Sequence, residues 1–312
     1  MGSVLQGGAG RNLIPEAGAA SVGMDDGMEF GLHIADFTWK TGTRSLGPAL
    51  AAHARNAEAA GIHRITVMDH FWQLPGIGPV DHDMLEAYAT LGFIAAHTEK
   101  ALLHTLVTGV IYRHPSLLAK QISTLNVLSG GRVGLGIGAA WNEEECRGLG
   151  FPFPPVAQRF RELEETIEIC LQMWSDSEEP YEGAIWQLER TLNAPQNLSK
   201  PYLMIGGGGE KKTLRLVAQH ADACNLAAMG EELPAHKLDV LRGHCEAVGR
   251  DYDDIEKTAM IAVDPESTPD AVADKVAGLA ALGFTATYVF SRGIDEPARV
   301  VDLISATAEL TS

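Results

Sequence analysis

Basic residues are scarce in this chain: 24 Lys and Arg stand against 41 Asp and Glu, a formal net charge of −17 over 312 residues. Such a surface repels phosphodiester backbones and anionic lipid, which argues against nucleic acid and membrane as partners. The acidity itself reads as an aid to solubility. No apolar run reaches the ~18 residues that a membrane-spanning helix needs. Cysteine is rare too: Cys146, Cys170, Cys224 and Cys245 form no CxxC pair. Their spacing suggests neither a metal site nor a disulfide scaffold, so a reducing cytoplasm fits best. Asp81-His82-Asp83 lacks a fourth ligand nearby, and no metal is expected. Cys146 follows three Glu, which discourages a thiolate nucleophile. There is no GxSxG elbow and no GxGxxG dinucleotide fingerprint.

What is present is a long alternation of short apolar runs with amphipathic stretches. Residues 1–27 stand outside it. They are rich in Gly and Ala and lack both the basic start and the apolar centre of a signal peptide. They read as a disordered extension, because such a segment buries too little surface to offset its ordering entropy. Met28 then opens the fold. Strands are expected over 29–34, 64–68, 102–108, 132–137, 202–205, 223–226, 257–263 and 285–290. Helices are expected over 46–60, 83–97, 116–128, 158–174, 211–220, 234–248, 270–282 and 296–308. Residues 176–200 break the rhythm with Pro, Asn and Ser and read as an insertion region. Eight strands, each followed by a helix, predict an α/β (β/α)8 TIM barrel, with a doubly wound open sheet as the alternative.

In such a barrel the active site forms at the C-terminal strand ends. The second strand ends in Asp69-His70, ahead of Phe71 and Trp72. A carboxylate beside an imidazole can manage a proton near neutral pH. The plainer reading is a cap and a packed ring, but the strand-end position favours function. The third strand offers Thr105, Thr108 and Gly109, where a flat ring can approach. The fourth runs Gly134-Leu135-Gly136-Ile137-Gly138-Ala139-Ala140-Trp141-Asn142, with small residues that admit a ligand or simply pack. The fifth leads into Gly206-Gly207-Gly208-Gly209-Glu210-Lys211-Lys212. A strand, a glycine turn and a helix N-terminus together favour a phosphate.

The segments VMDHFW (67–72), LVTGVIYRHPSLLAKQISTLNVLSGGRVGLGIGAAWNEEE (106–145), RFRELEETIEICLQMW (159–174) and YLMIGGGGEKKTLRLVAQHADACN (202–225) resemble luciferase-like flavin-barrel oxidoreductases. Within that family they look most like its F420-dependent branch. The resemblance implies a bacterial-luciferase-like barrel, a homodimer, and a cofactor ring over the barrel mouth. By motif matching, His70 would carry the proton and Asp69 would orient it. Thr105 and Leu106 would pass beneath the ring, where the family often holds a cis non-prolyl peptide. Gly138, Ala140 and Asn142 would touch the cofactor's polar side, and Gly207, Gly208 and Gly209 its phosphate. The family's sugar-phosphate dehydrogenase carries a Glu where this chain has Ala139, which puts that substrate in doubt. The implied activity is hydride transfer between coenzyme F420 and a small organic substrate. Two alternatives are an FMN-dependent monooxygenase and a non-catalytic cofactor-binding barrel.

Overall fold

The computed structural model describes residues 27–230 and 234–311. The disorder expected over 1–27 therefore lies outside the described residues, Gly27 apart. The strands are β1 (Glu29–Ile34), β2 (Arg64–Val67), β3 (Leu102–Thr105), β4 (Thr108–Gly109), β5 (Leu135–Gly138), β6 (Tyr181–Glu182), β7 (Gln187–Leu188), β8 (Leu203–Gly206), β9 (Ala223–Ala227), β10 (Glu256–Val263) and β11 (Ala286–Ser291). The helices are α1 (Leu46–Ala59), α2 (Ala87–Ala95), α3 (Pro115–Leu128), α4 (Glu143–Leu149), α5 (Val156–Met173), α6 (Thr213–His220), α7 (Ala235–Val248), α8 (Pro269–Ala281) and α9 (Pro297–Thr311).

Nine strands pair in parallel in the order β3-β2-β1-β11-β10-β9-β8-β5-β4. The two ends of that order, β3 and β4, are consecutive pieces of one chain segment. A bridge between Leu103 and Val133 joins the β3 end to the residues just before β5. The sheet therefore closes into an eight-stave barrel, and the open-sheet alternative falls. Closure leaves no edge to protect, and both sheet faces are covered, which explains the near-continuous apolar strand sequences.

The third stave is the main departure from expectation. A single strand over 102–108 is replaced by two pieces on either side of a cis peptide bond between Leu106 and Val107. Leu106 and Val107 leave the ladder and line the barrel mouth. The alternating glycines beside them make room for this. A Cβ on Gly136 would stand 2.0 Å from the Thr105 carbonyl oxygen, and one on Gly206 2.8 Å from a Val107 methyl. One on Gly134 would stand 2.5 Å from the Tyr202 carbonyl oxygen. Close packing therefore accounts for much of the glycine pattern in the fourth strand.

The helices follow local signals. Pro115 occupies the first turn of α3, where its missing N–H does no harm, and the His114 side chain caps the helix. Gly130 stands just past its end at φ 73°. In α5, Leu163, Ile167 and Cys170 bury one face. The helix expected over 83–97 begins instead after Glu86, whose carboxylate accepts from the Ala89 N–H at 2.7 Å. Asp83 is held out of it because its N–H donates to the Thr38 Oγ1 at 2.7 Å.

Two short elements had no strong sequence signal. Helix α4 spans only seven residues, capped by Asn142 and ended by Gly150 in the left-handed region. The insertion region holds the β6–β7 hairpin, antiparallel and apart from the barrel. The Glu165 carboxylate on α5 anchors it by accepting the N–H groups of Ala184, Ile185 and Trp186. None of residues 176–200 lines the barrel mouth. Among the described residues no helix is long and apolar enough to cross a membrane.

Candidate active site

A cavity of about 580 Å³ opens at the C-terminal ends of the strands. That volume is typical of a small-molecule or cofactor site. Its base lies between the cis-bonded Leu106–Val107 pair and Gly138, Ala139, Gly206 and Gly207. One flank carries His33, Met68, Asp69 and His70, and the loop Leu74–Ile77 overhangs it. Asn225, Met229, Met260, Phe290 and Arg292 close the far side.

His70 stands on this wall with its side chain 13 % exposed. Its Nδ1 lies 2.8 Å from Glu145 Oε2. An ionised carboxylate only accepts, so Nδ1 carries a proton and donates. Nε2 is left as the ring's other hydrogen-bonding atom at the cavity. The Trp141 ring meets the imidazole edge-on at 5.7 Å between centroids.

Glu145 is the buried centre of the loop. Besides His70 it accepts the N–H groups of Phe71 at 2.6 Å and Trp72 at 2.8 Å, and the Tyr112 hydroxyl at 2.7 Å. Burial pushes its carboxyl up, but the His70 hydrogen bond and charge, the Trp72 N–H and the Tyr112 hydroxyl outweigh burial and hold it below its ordinary value. It remains an anion at neutral pH.

This corrects the role expected of Asp69. Its two oxygens accept a bidentate pair of hydrogen bonds from Arg113, at 2.6 and 2.9 Å. The carboxylate that orients His70 is thus Glu145, 75 positions away, and not the sequence neighbour. Arg113 also reaches Glu86 and lies over the Tyr88 ring at 4.5 Å. Burial works against the Arg113 charge. The Asp69 charge and hydrogen bonds more than offset it and raise the guanidinium above its ordinary value.

His33 is a further buried imidazole of the cavity, which sequence reasoning passed over. Its Nδ1 lies 2.9 Å from Thr66 Oγ1. Burial first, and the neighbouring His104 and His70 charges next, pull it down to about 3. It is neutral across the physiological range.

The expected cofactor residues divide into those at the cavity and those behind it. Leu106, Thr108, Gly138, Ala140, Gly206, Gly207 and Gly208 line it. Ala140 does so at φ 58°, a left-handed backbone unusual for a residue with a Cβ. Thr105, Asn142 and Gly209 do not line it. Thr105 is fully buried, and its hydroxyl donates to the Gly136 carbonyl at 2.8 Å while accepting from Thr108 at 2.9 Å. Asn142 spends its Oδ1 accepting from the Glu145 N–H at 3.2 Å, so it places the carboxylate that places His70. Gly209 packs so closely on Thr213 that a Cβ there would stand 2.7 Å from Thr213 Oγ1.

The glycine turn, expected to hold a phosphate, has some of its N–H groups committed within the protein and others not. The Gly207 N–H is already used, donating to the Asn225 carbonyl at 3.1 Å. The N–H groups of Gly208 and Gly209 have no protein acceptor among the described residues. Thr213 adds a hydroxyl at the first residue of α6 and lines the cavity. Lys212 turns away, its Nζ 5.2 Å from the Phe160 ring centre. The nearer cation is Lys237, whose Cε would lie 3.6 Å from a Cβ on Gly208 and whose Nζ pairs with Glu210 at 2.5 Å.

The sequence profile of luciferase-like monooxygenases matches residues 28–302. A curated relative, "F420-dependent glucose-6-phosphate dehydrogenase" of Kineococcus radiotolerans, is 28% identical over 80% of this chain and 73% of its own. Among solved structures, an F420-dependent secondary alcohol dehydrogenase in complex with an F420-acetone adduct superposes with a TM-score of 0.76 at 17% identity. That match covers 90% of this chain and 99% of the other. A long-chain alkane monooxygenase superposes at 0.74 with 13% identity, over 91% of each chain. At such identities the two structures speak to the fold. The profile match spans nearly the whole barrel and carries the assignment: the chain belongs to the luciferase-like monooxygenase family.

Proposed function

We propose that this chain is an F420-dependent oxidoreductase acting on a small organic molecule at the barrel mouth. The observation that carries the reading is His70, fixed by a buried Glu145 at the wall of a glycine-floored cavity. The names of its curated relatives supply the cofactor class.

The cavity fits such a group. Its volume suits a tricyclic ring, and Gly138 and Gly206 let the Leu106–Val107 segment pack down to form the cavity's base. The amides of Gly208 and Gly209, the Thr213 hydroxyl and the N-terminal end of α6 would hold a phosphate. When bound, the deazaflavin supplies hydride chemistry. The chain's own residues supply the rest. Glu145 fixes the His70 ring and keeps its Nδ1 protonated, so Nε2 gives or takes the proton that accompanies the hydride. Leu74–Ile77 and the methionines of the lining give the reacting atoms a largely apolar surround.

Ala139 at the cavity offers no carboxyl, so no second acid faces His70 from that position. This counts against a sugar-phosphate substrate. The buried thiols Cys146, Cys170, Cys224 and Cys245 suit a reducing cytoplasm. We read the working unit as a homodimer.

The test is fluorescence-monitored titration with F420 and, in parallel, FMN. Tight F420 binding with negligible FMN binding is the expected result. The reverse, with oxygen uptake on an alkyl substrate, replaces the reading with a flavin monooxygenase. Binding without turnover on any substrate replaces it with a non-catalytic barrel. The variant Gly208→Asp is expected to weaken F420 by about tenfold or more through repulsion of its phosphate. Gly208 tolerates a Cβ, at 3.6 Å from its nearest neighbour, so an unchanged dissociation constant would count against the phosphate cradle and not the fold.

A further inference from the structure

Among the described residues Arg292 is a cation without a counter-ion, in a strongly acidic protein. It follows the last residue of β11 and lines the cavity. Its Nε is buried with no hydrogen-bond partner. Its Nη2 reaches only the Met229 sulfur, at 3.4 Å, and its guanidinium lies 5.3 Å from the centre of the Phe290 ring. Among the described residues no carboxylate pairs with it. Lys275 on α8 adds to the positive corner: burial first, and the Arg292 charge next, depress its ammonium below the ordinary value.

An unpaired buried guanidinium N–H is rare, since leaving it unmade forfeits a charge-assisted hydrogen bond. The barrel's geometry says which ligand would pair with it. β11 is the eighth stave, three staves from β8 and its Gly206–Gly208 turn, and the guanidinium lies against Met229, just past β9 on the sixth stave. The surrounding wall is apolar, with Met68, Met229, Met260 and Phe290. The corner therefore joins one fork of donors to an apolar lining, the chemistry that recognises a carboxylate on a hydrocarbon body.

We propose that Arg292 is the substrate's anion anchor and that the substrate is an organic acid whose carboxylate pairs with this guanidinium. The proposal rests on the reading of the cavity as a cofactor-and-substrate site. Its chemistry would also suit acidic groups on the cofactor itself, and the experiment separates the two sources.

Straight-chain alkanoates from butanoate to decanoate, and the matching alkanamides, are titrated calorimetrically into wild-type protein and into Arg292→Gln and Arg292→Lys. F420 affinity is measured on the same three proteins. The expected result is that at least one alkanoate binds about tenfold or more tighter than its amide. Arg292→Gln should abolish that preference, Arg292→Lys should keep part of it, and F420 affinity should hold within about twofold. No preference for any acid over its amide overturns the anchor. A loss of F420 affinity in Arg292→Gln that matches the loss for the alkanoate assigns the anion to the cofactor and also overturns it. If F420 binds to none of the proteins while the acid preference persists and needs Arg292, the anchor stands and the cofactor reading fails.

Discussion

His70→Ala is expected to slow turnover by about 10²- to 10⁴-fold, the range for losing one general acid–base group. The F420 dissociation constant should meanwhile stay within about threefold, since the proton is moved in the reaction and not in binding. The expectation follows from geometry. Nδ1 is committed to Glu145 at 2.8 Å, so the ring cannot tumble, and its remaining nitrogen is held at the cavity. The alanine variant leaves a ring-sized space open to that cavity, so added imidazole should restore part of the rate. Single-turnover kinetics beside a fluorescence titration give both numbers. Equal losses in rate and cofactor affinity, with no rescue by imidazole, would make His70 a binding residue and end its role as proton carrier.

The sequence displayed the frame of this site better than its wiring. Alternating apolar strands and amphipathic helices sufficed to place eight βα units, and β1 at Glu29–Ile34 has the expected bounds. Strand-end logic, and for Leu106 the family resemblance, named His70, Leu106, Thr108, Gly138, Ala140 and Gly206–Gly208, which share one cavity. What stayed hidden depends on contacts distant in sequence. Glu145 sits in a Glu143-Glu144-Glu145 run that reads as a charged helix face, and only the fold turns the third of these to complete burial. Its link to His70 crosses 75 positions and leaves no periodic trace. Asp69, beside His70 in sequence, is taken by Arg113, so adjacency in sequence did not show which carboxylate serves the imidazole. His33 was legible only as one polar residue in a buried strand. Arg292 could have been found by asking the strand-end question of the eighth stave as of the second to fifth. The glycines of the fourth strand carried two messages at once, ligand access and room for the Leu106–Val107 segment, and sequence alone does not separate them.

Arg113→Met should destabilise the protein by about 3–5 kcal/mol, the usual result of stripping one partner from a buried ion pair. For a chain of this size that corresponds to a fall in Tm of roughly 6–10 °C. Asp69 is the reason: its side chain is 1 % exposed, and both oxygens depend on the Arg113 fork. With the guanidinium gone, a buried carboxylate faces Glu86 with no cation between them. Adding Asp69→Asn removes the orphaned charge, so the double variant should recover more than half of the lost Tm. Thermal melts of the two single variants and the double variant complete the cycle. Simple additivity would show that the pair contributes nothing as a pair. The double variant also decides what Asp69 does for the reaction. If stability returns and turnover returns with it, Asp69 serves as a strut for the strand end that presents His70. If stability returns while turnover stays low and cofactor affinity is intact, the Asp69 charge itself acts on the reacting groups. The hydrogen bonds favour the strut, because the carboxylate's bidentate contacts all go to Arg113 and the imidazole is served by Glu145.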